Sequence, residues 1–223
     1  MDRYHLKVCE STNDTARFFL ESGVKVPFVV TAEVQTRGRG QRTRKWASEK
    51  GGLYSSFALE KMHSRKALIL GAHSAYYVLV KYLPVKVRFP NDLMVENRKI
   101  GGVLVEQTNS ATIIGIGINV NQREFPEELH GNATSLFLEK GMEFDIMEIT
   151  NHLVNAVERL KRVGYESLFE EYVKTVFRGG ECVIHLKNGR EISCVIEKVD
   201  KEFNVYTTSG NFLFDDIIWI EWL

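Results

Sequence analysis

Lys86-Val-Arg-Phe-Pro-Asn-Asp-Leu-Met-Val-Glu-Asn-Arg-Lys-Ile-Gly-Gly-Val-Leu-Val-Glu106, followed after five residues by Thr112-Ile-Ile-Gly-Ile-Gly-Ile-Asn-Val120, decides the architecture. Four strand-like runs (from Lys86, Leu93, Ile100 and Thr112) are joined by connections of a few residues, too short for crossovers, so the strands pair antiparallel. Pro90 cannot donate to a ladder, so the first run stops there and Asn91-Asp92 fall in a turn. Glycines at 101, 102, 115 and 117 are too frequent for ordinary strands. They predict a bare backbone surface on which something flat lies close.

Working toward the N-terminus, Tyr4 to Val8 reads as a strand, and Ser11-Thr-Asn-Asp14 as a capping-box-like helix start. Ala16, Phe19 and Leu20 supply the buried face of that helix, which ends near Gly23. Phe28–Val34 and Leu53–Leu59 flank a basic, glycine-bearing loop, Gln35-Thr-Arg-Gly-Arg-Gly-Gln-Arg-Thr-Arg-Lys-Trp46. Glycine lets the backbone approach a ligand, and arginine offers a permanently charged fork suited to phosphate or carboxylate. Ser64 is placed to cap a helix running to about Tyr82, with Leu68, Ala72, Ala75 and Leu79 on its buried stripe and Pro84 beyond its end.

Toward the C-terminus, residues 144–177 read as helical, with Ile149, Leu153, Ala156, Val157 and Leu160 in one stripe. Arg178-Gly-Gly180 breaks the pattern, and close-spaced strands follow around an Asn188-Gly189 turn. The expected organisation is α+β: a mixed, largely antiparallel sheet with flanking helices over residues 1–177, then a small β-barrel over 178–223.

The 29 basic and 29 acidic residues balance, so the basic loop is a local device and not part of a nucleic-acid-coating surface. Three cysteines, Cys9, Cys182 and Cys194, show neither a disulfide framework nor metal spacing, which suits reduced thiols in the cytoplasm. No apolar run approaches a membrane span, and no signal peptide is seen.

Three clusters besides the loop bear polar chemistry. Ser11-Thr-Asn13 is a helix cap by itself, with hydroxyls also able to bond a polar ligand. Asn91-Asp92 is turn chemistry and Lys99 a solvated lysine when each is taken alone. The hairpin, however, can set Asp92 and Lys99 side by side, a carboxylate and an ammonium suited to phosphate handling and proton transfer. Gly115-Ile-Gly-Ile-Asn119 is either an unusual core strand or a glycine wall whose Asn119 amide faces a purine edge.

Taken in order, these motifs resemble those of biotin protein ligases. Ser11-Thr-Asn13 resembles the family's opening Ser-Thr-Asn. Gln35, Gly38-Arg-Gly40 and Arg44-Lys-Trp46 resemble its adenylate loop. Arg88-Phe-Pro-Asn-Asp92 with Lys99 and Gly101-Gly102 resembles its Lys-Trp-Pro-Asn-Asp … Lys-x-x-Gly signature. Gly115-Ile-Gly-Ile-Asn119 is similar to Gly-x-Gly-x-Asn, and Thr134-Ser-Leu136 to Ala-Thr-Ser-Leu. Departures are Gln41 where many members carry arginine, Thr43 for glycine, Arg88-Phe89 for Lys-Trp, and Asp215-Asp216 for a Gly-acidic pair.

The resemblance implies a class II synthetase-like catalytic fold with a Src-homology-3-like barrel. It also implies ATP-dependent formation of biotinyl-5′-AMP and transfer of biotin to a lysine of a carboxylase carrier domain, such as that of acetyl-CoA carboxylase. Lys99, Asp92 and Arg39 are the implied catalytic residues. Ser11, Thr12, Asn13, Gln35, Gly38, Arg39, Gly40, Gln41, Lys99, Gly102 and Gly117 are implied for biotin, with Ser11, Thr12 and Gln35 at its ureido ring. Arg39, Arg42, Arg44, Trp46, Asn91, Lys99 and Asn119 are implied for ATP and the adenylate, with Trp46 as a hydrophobic latch. Mg2+ accompanies the phosphates, without a firmly assigned protein site.

About ten residues precede Ser11, so no helical DNA-reading module is expected there. The strand Thr112–Val120 is a candidate edge for pairing in a homodimer. Rival readings are a lipoate or octanoate ligase, whose Arg-Arg-x-Ser-Gly-Gly pattern differs from Gly38-Arg-Gly40, a non-enzymatic RNA-binding module, and a degenerate ligase kept as a biotin sensor.

Overall fold

The Ile-Gly alternation of residues 113–118 explains how the chain builds two unequal faces on one sheet. Successive strand residues point to opposite sides. In the computed structural model, which describes residues 1–41, 44–177 and 179–223, Ile114, Ile116 and Ile118 enter the main core. Ile113 packs in a smaller cluster with Ala16, Phe28 and Val30 on the opposite side. Gly115 and Gly117 share the side of Ile113 and leave it bare.

The first sheet contains β1 (Asp2–Cys9), β2 (Phe28–Gln35), β3 (Gly52–Glu60), β4 (Lys86–Arg88), β5 (Asp92–Val95), β6 (Arg98–Gln107) and β7 (Ala111–Asn119). Their order is β1-β2-β3-β7-β6-β5-β4. β1 runs parallel to β2, and the hairpins from β4 to β7 are antiparallel, as their short connections require. β7 is held between β3 and β6 along its length. The expectation that Thr112–Val120 lies at an edge is therefore wrong: both of its hydrogen-bonding sides are occupied, so it cannot pair between subunits.

α1 (Thr12–Glu21) covers the glycine-bearing face. α2 (Ser64–Leu79), α4 (Ile146–Leu160) and α5 (Tyr165–Val176) cover the other, while α3 (Leu136–Lys140) is a short connector. Ser64 does not cap α2; it is the first helical residue, His63 is the cap position, and the Ser64 hydroxyl accepts from Gln107 instead. The single helical run expected over 144–177 is two helices. Asp145 caps the first through Met147 N and Glu148 N, and Gly164, in an extended conformation, starts the second.

The C-terminal strands are β8 (Glu181–Leu186), β9 (Glu191–Val199), β10 (Val205–Thr207), β11 (Gly210–Phe212) and β12 (Ile217–Trp222), in the order β11-β10-β9-β8-β12. They form a second antiparallel sheet curled as a small barrel. Its apolar side is continuous with the main core: Phe203 stacks on Tyr172, and Phe89 contacts Phe177, Phe203 and Phe214. Arg178, where the sequence pattern breaks, lies outside the described residues. Cys182 and Cys194 are opposite each other on β8 and β9 as free thiols. No helix is long and apolar enough to cross a membrane among the described residues.

Candidate active site

On the glycine-bearing face lies a cavity of about 410 Å3. Five cationic side chains line it, Arg39, Arg44, Lys45, Arg88 and Lys99, against a single carboxylate, Asp92, among the described residues. Such a field favours a polyanion.

The β4–β5 turn and the β5–β6 hairpin build its charged end. Arg88 opposes Asp92 across β4 and β5. Asp92 opposes Gly102, and Lys99 opposes Met94, with an irregularity at Leu93–Met94. Lys99 is thus diagonal to Asp92 and spans the offset with its long side chain. Its ammonium meets Asp92 Oδ1, while Arg88 Nη2 donates to Oδ2 at 2.8 Å. Burial raises the Asp92 pKa, but the two cations outweigh it and hold the carboxyl below its ordinary value. Asn91 lines the cavity, yet its Nδ2 donates to the Val103 carbonyl, which fixes the turn.

A polar nest forms the opposite end. Thr12 donates to Gln35 Oε1 through its backbone N at 2.8 Å and its hydroxyl at 3.0 Å. Gln35 Nε2 donates to Ser48, and Ser56 Oγ lies within hydrogen-bond distance of Thr12 Oγ1 and Asn13 Oδ1. Ser11 occupies the cap position of α1 but makes no side-chain cap bond. The capping box does not form because Asp14 turns instead to Arg39. Asn13 Nδ2 is buried without a partner, an orphan donor at the wall of a polar cavity.

Gly102 and Gly117 face each other on β6 and β7. The flat group upon them is the Trp46 indole: a Cβ at Gly117 would come within 2.7 Å of its Cε2. Lys99 Nζ lies 5.3 Å from the same ring, and the indole N–H has no partner. Trp46 arrives there because the loop folds back on itself, with Trp46 N donating to Gly38 O and Gly40 N to Arg44 O. Gly38 itself is not on the cavity wall. It is buried beneath the loop, where a Cβ would lie 2.3 Å from Ser48 Oγ and 2.5 Å from Trp46 O.

Arg39 lines the cavity but is clasped by two carboxylates. It pairs bidentately with Asp14 and reaches Glu106 at 3.1 Å, which Arg17 also holds. Its hydrogen bonds lower the Asp14 pKa and raise its own. Asn119 is also committed: Nδ2 donates to Thr134 O at 2.9 Å. That bond anchors residues 132–134, which pair beside Lys99. Its amide therefore serves the wall before any purine edge. Gly40, Gln41 and Arg44 line the cavity as expected, and Arg42 and Thr43 lie outside the described residues.

Sequence reasoning missed Ser56, the Asp14–Glu106 clasp and the contribution of the barrel, from which Ile218 and Trp219 reach the cavity. Ser56 carries no local signal, since it is one serine in an alternating strand.

Comparison with known proteins agrees with this arrangement. Residues 5–122 match the model of the biotin/lipoate A/B protein ligase family. The bifunctional ligase/repressor BirA of Bacillus subtilis is 31% identical over 173 residues, covering 71% of this chain and 53% of that protein. The biotin–[acetyl-CoA-carboxylase] ligase of Mycobacterium tuberculosis is 24% identical over 209 residues, covering 86% of this chain and 77% of that one. The chain spans about half the length of the first BirA relatives it matches. Among solved structures, biotin protein ligase from Aquifex aeolicus in complex with biotin and ATP superimposes with a TM-score of 0.83 at 29% identity, covering 100% of this chain and 99% of that one. A match through the glycine loop, the Asp92–Lys99 hairpin and the glycine wall places the chain in the biotin/lipoate A/B protein ligase family.

Proposed function

We propose that this chain activates biotin with ATP as biotinyl-5′-AMP and transfers biotin to a lysine of a carboxylase biotin carrier domain. The observation that carries the reading is one cavity with a polar nest at one end, a cation cluster at the other and a glycine wall between them. Biotin's ureido ring needs donors and acceptors, its bicycle a flat apolar bed, which the glycine wall offers once the Trp46 indole lifts from it, and its carboxylate a route to the α-phosphate.

In the first step a biotin carboxylate oxygen attacks the α-phosphorus, the bond to the leaving β-phosphate oxygen breaks, and pyrophosphate departs. Two anions meet, so Lys99 and Arg44 of the loop are the groups that offset repulsion and stabilise the phosphoryl oxygens. Arg39 joins them by exchanging a carboxylate of its clasp for phosphate. In the second step the acceptor amine attacks the acyl carbon, the C–O bond to AMP breaks, and the amine's proton passes to Asp92. The cations beside Asp92 keep it ionised and ready to orient the incoming ammonium. Trp46 and the loop keep water from the anhydride.

Mg2+ has no fitting protein site here. Among the described residues Asp92 is the only carboxylate at the wall, both its oxygens are engaged, and no cluster of three or more ligating side chains occurs. The ion belongs with the co-substrate MgATP. ATP and free thiols both suit the cytoplasm.

The nest also favours biotin over lipoate or octanoate. A dithiolane or alkyl tail would leave Asn13 Nδ2 buried without a partner, a cost of about 1–3 kcal/mol. Incubation with ATP and either acid tests the reading. Biotin should trigger pyrophosphate release and lipoate should not, whereas release with lipoate alone would reverse the assignment.

A further inference from the structure

Arg88 is held on one side by the catalytic domain and on the other by the barrel. It donates to a single oxygen of Asp92, through Nη2, and its Nε is buried without a partner. One N–H···O contact leaves a guanidinium free to rotate, unlike a two-pronged pair. The second restraint is Trp219: Arg88 Cζ lies over its ring, 4.7 Å from the centroid. Trp219 is itself braced. The His185 ring stacks on it with centroids 3.7 Å apart and planes 8° from parallel. His185 lies between Glu191, 3.1 Å away, and Glu221, 3.3 Å away.

The strand is bent to allow this. Along β12 and β8, Ile217 opposes Leu186 and Trp219 opposes His185, so Ile218 is an extra residue. A bulge of this kind re-aims side chains, and here both Ile218 and Trp219 reach the cavity wall.

We propose that Trp219 is a positioning residue: braced by His185, it holds the Arg88 guanidinium against Asp92, so that the barrel sets the alignment of the carboxylate used in transfer. The proposal rests on the reading of Asp92 as the proton acceptor. It gives the barrel a part in one half-reaction more than in the other, because Lys99 contacts Asp92 from β6 without help from the barrel.

The test uses the full chain in two assays, pyrophosphate release for adenylation and single-turnover transfer from preformed biotinyl-5′-AMP to a recombinant carboxylase carrier domain. Trp219→Ala should slow transfer by about 10–100-fold, as expected for a misaligned group, and adenylation by a smaller factor. The acid limb of the transfer profile should also move to higher pH. The groups facing Asp92 are Lys99 from β6, Arg88 from β4 and the Tyr172 phenol from α5, and loosening Arg88 removes one of the two charges that keep the carboxylate ionised.

Trp219→Phe keeps a ring and should restore both rate and profile. A wild-type transfer rate and profile in Trp219→Ala would overturn the proposal, as would equal losses in both half-reactions that phenylalanine does not rescue. If Trp219→Ala fails to fold, Arg88→Lys keeps the charge but loses the guanidinium that lies over the Trp219 ring. It should show the same selective loss, and wild-type behaviour in it would overturn the proposal too. Asp92→Asn separates the two layers: unimpaired transfer in that variant would remove the proton-acceptor reading itself, whereas lost transfer there with a normal Trp219→Ala enzyme would remove only the barrel's role.

Discussion

Acid should loosen this protein through His73, and replacing His73 with leucine should remove most of that sensitivity. His73 is fully buried in α2, among Tyr76, Tyr77 and Tyr172. Neither ring nitrogen has a partner. Burial therefore favours the neutral imidazole and lowers its pKa from 6.5 to about 4. In the unfolded chain the ring takes up a proton near its ordinary value. Between those two values the unfolded state binds more protons than the folded one. The contribution is fully present above pH 6.5 and is lost as pH falls toward 4. Linkage over this window gives a loss of about 2 kcal/mol between pH 7 and pH 5. His73→Leu swaps the ring for an apolar side chain, with a packing cost of about 1.5 kcal/mol or less. Urea unfolding of both proteins at pH 7 and pH 5 yields the comparison directly. The difference between variant and wild type should change by about 2 kcal/mol in favour of leucine at the lower pH. Equal acid losses in the two proteins would show that the buried imidazole is not responsible.

Lys99→Ala should lower adenylation by about 10²–10³-fold through loss of a charge-stabilising donor, and near-normal pyrophosphate release would remove Lys99 from that role. Gly117→Ala puts a Cβ 2.7 Å from the Trp46 ring. The same methyl stands where the bicycle must lie once the indole lifts, so it should weaken biotin binding by about 10–100-fold, equivalent to about 1–3 kcal/mol; unchanged affinity in calorimetry would mean that biotin does not use the glycine wall. Gln41 lines the cavity where many ligases carry arginine, so biotinyl-AMP should escape readily and label bystander lysines. Gln41→Arg should suppress that labelling, and strict single-site labelling by the natural chain would contradict the expectation.

Much of the architecture was legible because it is written in local signals. Short turns between β4 and β7 dictated antiparallel pairing, and Pro90 ended a strand where the fold needed a turn. The Asp92–Lys99 proximity was also legible, since a hairpin converts sequence spacing into distance, although the offset at Leu93–Met94 makes the contact diagonal. Other expectations failed where a distant partner prevailed. Asp14 looked like half of a capping box until Arg39, 25 positions away, offered it a charged pair. Residues 112–120 looked capable of forming an edge because strand order is set by tertiary packing and leaves no mark on an individual strand.

By itself, then, the sequence determined the hairpins, the bare glycine face and the chemical types gathered near it, because backbone sterics and short connections act over a few residues. Only the tertiary structure decided which of these groups meet. It brought Ser56 beneath Thr12, laid Trp46 on Gly117, clasped Arg39 between Asp14 and Glu106, and carried Trp219 of the last strand over Arg88. Those contacts depend on how two sheets and their helices bury a common core, a property of the whole chain rather than of any segment.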